Sequence, residues 1–297
     1  MALIDRLLSP ESSFQQRFFF LARRFVAGES IASAIEAVKR LNAEGMSATL
    51  DLLGEDVLDR ETALATRDVY FAMLEAIGES GVRSNVSLKL TAMGLLIDHG
   101  FALENLTSIL ERAEKNPDPF VRIDMEGSNV TEQTLTLFEE AYARHKNLGP
   151  VLQAYLKRTP RDAERAIELG ARVRLCKGAY KEPPQIALQD MAAIRAQLLT
   201  VAQALLARGN YPGIATHDAK LIEAVKAFAK GEGIGAERFE FQMLFGVRPA
   251  LQRRIVREGY RLRVYVPFGT HWARYFYRRI SERKENALFA LSSLIPR

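Results

Sequence analysis

RVRLCKG (172–178), AAIRAQLLTVAQALLARG (192–209) and GIATHD (213–218) follow one another closely along the chain. The outer two pieces are short and apolar, and turn residues bound them, as expected of buried strands. The middle piece repeats its apolar residues at helical spacing and ends on Gly209. Strand, helix and strand in that order make a βαβ unit, whose two strands run parallel through a right-handed crossover.

Working outward, the same alternation recurs. Six further strand-like runs are ATLDLLG (48–54), NVSLKL (85–90), FVRIDME (120–126), PVLQAYL (150–156), FEFQMLFG (239–246) and LRVYVPFG (262–269). The eight runs start 22 to 41 residues apart, with helix-period segments such as TLTLFEEAYARHK (134–146) between them. Eight consecutive βα units predict an α/β fold of the (βα)₈ TIM-barrel type. An open doubly wound sheet is the alternative, but no G-x-G-x-x-G follows the first strand.

Residues 1–46 read as extra N-terminal helices. PESSFQQRFFFLARRFVAG (10–28) has an aromatic face, and ESIASAIEAVKRLNAEG (29–45) follows. Ser30 is the expected N-cap of the second helix, with Gly28 and Gly45 as stops. Phe18, Phe19, Phe20 and Phe25 are expected to pack on the barrel, a membrane-contacting face being the alternative. The expected organisation is a single domain over 1–297, with the barrel at 47–271 and a final helix at 272–286.

Composition narrows the function classes. The chain has 297 residues, 48% of them hydrophobic, which is enough for a full core. One cysteine, Cys176, excludes an intramolecular disulfide and a CxxC metal motif and fits a reducing compartment. No signal peptide or membrane span is expected. The net charge is +5, but residues 248–285 hold eleven Arg or Lys against three Glu, so that segment carries +8. An anionic ligand, an acidic membrane surface or a nucleic acid could meet this patch. The patch has no nucleic-acid-binding motif, so no nucleic acid is expected.

In a barrel of this type the chemistry lies at the C-terminal ends of the strands. There the sequence offers Lys89, Asp124, Glu126, Gln153, Arg174, Lys177, Thr216, His217, Asp218, Gln242 and Tyr265. Each alone is an ordinary surface or ion-pairing residue. Charges converging from several strands on one cavity persist only when paired or when serving a ligand. Gly178, between Lys177 and Ala179, lets the backbone approach a ligand closely. A strand-end lysine could also form a Schiff base, so an aldolase-like lyase using Lys89 or Lys177 stands as an alternative. With four histidines, none at HxH or HExxH spacing, no catalytic metal is expected.

The ordered set ATLDLLGE, SLKLTAMG, RIDMEG, LQAYLKRT, RLCKGAYKEP, ATHD, FEFQMLFGVR, RVYVPFGTHW and YFYRRISERKEN resembles the FAD-dependent proline dehydrogenases, most closely the monofunctional bacterial enzymes. The resemblance implies a distorted barrel whose last helix lies over the mouth. It implies oxidation of L-proline to 1-pyrroline-5-carboxylate by hydride transfer to FAD, with a membrane quinone taking the electrons. A separate 1-pyrroline-5-carboxylate dehydrogenase would then take the product. It further implies a cytoplasmic protein, with possible peripheral contact with the membrane's inner face.

By motif, Asp124 and Arg174 would be catalytic. Lys89, Arg278 and Arg279 would bind the proline carboxylate, and Leu244, Tyr265 and Tyr275 would pack around its ring. Met125, Gln153, Arg174, Lys177, Gly178, Ala179, Thr216, His217 and Gln242 would contact FAD, and Glu282 would steady the last helix. The chain departs from the bifunctional relatives at Lys181, where they carry tryptophan, and at Arg283, which follows Glu282 here.

Overall fold

A computed structural model describes residue 19 and residues 22–281, without the side chains of residues 274 and 278–281. Most of the expected first helix lies outside the described residues. The second runs over α1 (Ile31–Ala43). Its N-cap is Ser30, whose side chain accepts from Ser33 N while the Ser33 hydroxyl accepts from Ser30 N, a reciprocal capping box. Gly45 follows the helix at φ +84°, the left-handed turn that stops it.

From there strand and helix alternate: β1 (Ser47–Leu52), α2 (Arg60–Ser80), β2 (Ser84–Leu88), α3 (His99–Ala113), β3 (Val121–Ile123), α4 (Ser128–Arg144), β4 (Leu148–Gln153), α5 (Thr159–Glu168), β5 (Arg174–Cys176), α6 (Met191–Arg208), β6 (Gly213–Ala215), α7 (Ala219–Gly231), β7 (Glu240–Leu244), α8 (Pro249–Arg257), β8 (Leu262–Phe268) and α9 (Trp272–Ser281). Each strand pairs in parallel with the next, and β8 returns to β1 in a register from Ser47↔Arg263 to Leu52↔Phe268. The sheet is a closed eight-stranded barrel, so the expected TIM-type fold stands and the open sheet does not.

The strands do not read as the unbroken apolar runs usual for parallel sheets buried on both faces. They alternate. On β3 and just beyond it, Val121 and Ile123 join the core under the helices, while Arg122 and Asp124 form polar contacts inside the barrel. On β8, Leu262, Val264 and Val266 face the helices, while Arg263 and Tyr265 reach Glu240 and Asp124. On these strands one face packs apolar against the helical ring, and the other contributes polar groups to the interior.

α9 is braced by the segment ahead of α1. Phe19 stands edge-on to Trp272 with centroids 5.4 Å apart, and Phe25 lies 6.3 Å from Phe276. Trp272, Ala273 and Tyr275 are buried in a small cluster with Phe25, Val26 and Leu53. Phe19 and Phe25 thus pack inward, as the expectation for the aromatic face had it; Phe18 and Phe20 lie outside the described residues.

Candidate active site

β2, β3, β5 and β8 bring four charged or phenolic groups together at the C-terminal mouth. Lys89 is the first residue beyond β2, and its Nζ donates to both Asp51 oxygens at 3.1 and 3.2 Å. Asp51 is fully buried on β1. Burial, against the pull of Lys89, pushes the Asp51 carboxyl up to about 6. Burial also disfavours the Lys89 ammonium, but Asp51, Asp124 and Glu55 outweigh it and raise the pKa above its ordinary value. The raised Lys89 pKa keeps the ammonium charged at neutral pH, while burial moves Asp51 toward its neutral form.

A second cluster stands beside it. Arg174 Nη1 donates to Asp124 Oδ1 at 2.6 Å and to Ser87 Oγ at 3.1 Å, and its Nε donates to Gln242 Oε1. Tyr265 Oη donates to the other Asp124 oxygen at 2.9 Å. Burial, reinforced by the charges of Asp124 and Asp51, holds the Tyr265 phenol well above its usual range, so it remains a donor. Asp124 therefore sits between a guanidinium and a phenol, with a fixed orientation for each oxygen.

The outer part of the cavity is built by loops. Gly178, after β5, has φ +115°, and a Cβ there would stand 2.2 Å from the Tyr155 ring. Only glycine fits both the conformation and the space. Gln153 braces this turn: its Nε2 donates to Glu126 O at 2.9 Å, and its Oε1 accepts from Ala179 N at 3.4 Å. His217 Nε2 accepts from Leu244 N at 2.9 Å, which assigns that nitrogen to the end of β7 rather than to a base or metal role. Among the described residues no group of three or more His, Cys, Asp or Glu side chains is placed to hold a metal ion.

These groups share one cavity of about 570 Å³. Lys89, Asp124, Met125, Gln153, Arg174, Lys177, Gly178, Ala179, Thr216, His217, Gln242, Leu244, Tyr265 and Tyr275 all line it. That set is every residue the family resemblance assigned to the site whose side chain falls within the description. Arg278 and Arg279 lie on α9 one turn beyond Tyr275, with their side chains outside the description. Glu282 lies outside the described residues. Asp218 lines the cavity too, but it also caps α7 by accepting from Lys220 N and pairs with Arg195 at 2.9 Å. Glu126 does not line it; its carboxylate is clamped by Thr91 N and Thr91 Oγ1.

Sequence reasoning missed Asp51 and Ser87. Alternation was the available signal, since Asp51 is two residues after Thr49 and Ser87 two before Lys89, on the inner face of their strands. It also missed the wall that α6 contributes through Met191, Ile194, Arg195 and Leu198, because nothing in an amphipathic helix marks which end overhangs a ligand.

Comparison with known proteins fits this geometry. A family model described as Proline dehydrogenase matches residues 34–291. Proline dehydrogenase 1 of Bacillus subtilis (strain 168) is 42% identical over 274 residues, 92% of this chain and 90% of that protein. This chain belongs to the proline dehydrogenase family. The Proline dehydrogenase of Deinococcus radiodurans is 39% identical over 292 residues, covering 96% of this chain and 93% of that one. Among solved structures, proline utilization A (PutA) from Bdellovibrio bacteriovorus, inactivated by N-propargylglycine, superposes with a TM-score of 0.83 at 26% identity. That match covers 90% of this chain but 33% of PutA, so this chain spans about a third of the longer protein. The proline dehydrogenase family thus accounts for the barrel over nearly the whole of this sequence.

Proposed function

We propose that this chain oxidises L-proline to 1-pyrroline-5-carboxylate with FAD as the hydride acceptor and a membrane quinone as the final electron acceptor. The observation that carries the reading is that one cavity is lined both by charged groups and by apolar and aromatic ones. Lys89, Asp124 and Arg174 supply the first; Leu244, Tyr265 and Tyr275 supply the second. Proline has the matching halves, a carboxylate and an aliphatic ring.

The outer cavity suits a dinucleotide. Gly178 presents bare backbone to the cavity, and Lys177 and Arg195 line the same cavity with positive charge for a pyrophosphate. Met125, Gln153, Arg174, Lys177, Gly178, Ala179, Thr216, His217 and Gln242 would hold FAD. When bound, the flavin supplies a two-electron acceptor for the hydride from the ring carbon next to nitrogen. Lys89, with Arg278 and Arg279 from α9, would hold the carboxylate through charge-assisted hydrogen bonds. Leu244 and the two tyrosines would exclude water and press the ring into place, and Glu282 would steady the helix that brings the arginines.

The product would leave for a separate 1-pyrroline-5-carboxylate dehydrogenase, and the reaction would occur in the cytoplasm with peripheral contact at the membrane. No helix among the described residues is long and apolar enough to cross a membrane. On this reading residues 1–297 form a single domain. The test is turnover of proline with a soluble quinone analogue and with NAD, with the product identified by mass. Loss of two hydrogens from proline with the quinone alone is expected. Equal turnover with NAD, or a product other than the cyclic imine and its open aldehyde, would overturn the assignment.

A further inference from the structure

Arg174 is held at two edges of its guanidinium. Nη1 faces Asp124 and Ser87, and Nε faces Gln242 Oε1. An amide can present either end, and only its oxygen can accept from Nε. What selects the oxygen lies one layer deeper in the barrel. Gln242 Nε2 donates to Glu240 Oε1 at 2.6 Å. Glu240 also accepts from Arg263 Nε at 2.8 Å and from Tyr211 Oη at 3.2 Å. Burial opposes its charge, but Arg263, Gln242 and Arg122 outweigh burial and hold the carboxyl below its ordinary range. An ionised carboxylate has no proton to give, so Gln242 must turn its NH₂ toward it. A reversed amide would set oxygen against carboxylate and NH₂ against the Arg174 Nε–H, both costly at low dielectric. Gly213 on β6 provides the slot, for a Cβ there would stand 2.4 Å from Gln242 Nε2.

We propose that Glu240 and Gln242 are positioning residues for Arg174: the buried carboxylate sets the amide, and the amide, opposite Asp124, sets the plane of the guanidinium at the cavity. What Arg174 then does for the substrate and flavin rests on the proposed function; the order of the hydrogen bonds does not.

The test has two readouts. In nitrogen-15 spectra of the wild-type protein, the Arg174 Nε–H, assigned by its loss in Arg174→Lys, should exchange slowly with solvent. Glu240→Gln lets the amide turn, and the same proton should exchange about ten-fold faster or more, the equivalent of one buried hydrogen bond to a charged group. For the same reason kcat with proline should fall about ten-fold. KM should move far less, because the groups proposed for the carboxylate are untouched. Combining Glu240→Gln with Gln242→Glu places an acceptor-only group against Arg174 and should restore slow exchange of its Nε–H, which a merely structural role for Glu240 would not do. If Glu240→Gln fails to fold, Gly213→Ala carries the test. Gly213 is outside the positive-φ glycines, so alanine is allowed there and displaces the Gln242 amide without removing a charge. Unchanged exchange in the single variants, or a combined variant no better than Glu240→Gln, overturns the proposal. Failure of the proline reading would appear instead as a wild type without turnover, and the exchange readout would still decide this one.

Discussion

Tyr275 is 6% exposed and lines the cavity with Leu244 and Tyr265, so its ring sets the room left beside a bound ring. A hydroxyl on the substrate would meet that ring. Wild type should therefore prefer proline to trans-4-hydroxyproline, and Tyr275→Ser should narrow the difference in kcat/KM; equal use of both by wild type would contradict this role. Glu126 gives a pH signature. Burial pushes its carboxyl up to about 7, against the Thr91 hydrogen bonds, from a reference of 4.5. The raised pKa means the folded state holds the proton more tightly than the unfolded one. Its contribution is fully present below pH 4.5 and lost as pH rises through 7, at about 1.4 kcal/mol per unit. Glu126→Gln mimics the protonated form. Its thermal midpoint should fall less than that of wild type between pH 5 and 8; parallel curves would refute the assignment. At this scale the sequence marked strand-end charges but not their partners. Alternation can place Asp51, Ser87 and Glu240 on an inner face, but which groups they meet is set only once the barrel closes and brings distant strands face to face.

The elements were more legible than the residues. All eight strand-like runs became strands, since short apolar runs and bounding turns are local signals. Their ends were overdrawn: β3, β5 and β6 pair over three residues each, and the polar residues after them leave the sheet to line the mouth. α9 begins at Trp272, where the final helix was expected, and its Trp272, Tyr275 and Phe276 contacts show why aromatics precede the arginine pair. Residues 278 and 279 point about 100° apart on a helix, yet two long guanidiniums can reach one carboxylate. Lysine keeps the charge and loses the fork. Arg278→Lys and Arg279→Lys should each lower kcat/KM for proline about ten- to a hundred-fold with the fold intact. Values within about two-fold of wild type for the alanine variants would mark both as solvated surface arginines, whose substitution changes little.

For the whole molecule, barrel closure follows from eight βα units in sequence, and the site follows from closure. What remained illegible was depth. A polar layer of Arg122, Glu240 and Arg263 fills the barrel below the cavity, and in the sequence these residues look like the exposed face of ordinary strands. Only the closed sheet turns that face inward. The central claim is that the cavity above this layer holds a flavin that proline reduces. Its most direct test is the visible spectrum of the purified protein, recorded anaerobically while proline is added. The protein should be yellow, or become so with added FAD, and proline should bleach the flavin band while NAD leaves the reduced form unchanged. A protein that binds no flavin, or a bound flavin whose band proline does not bleach, would contradict it.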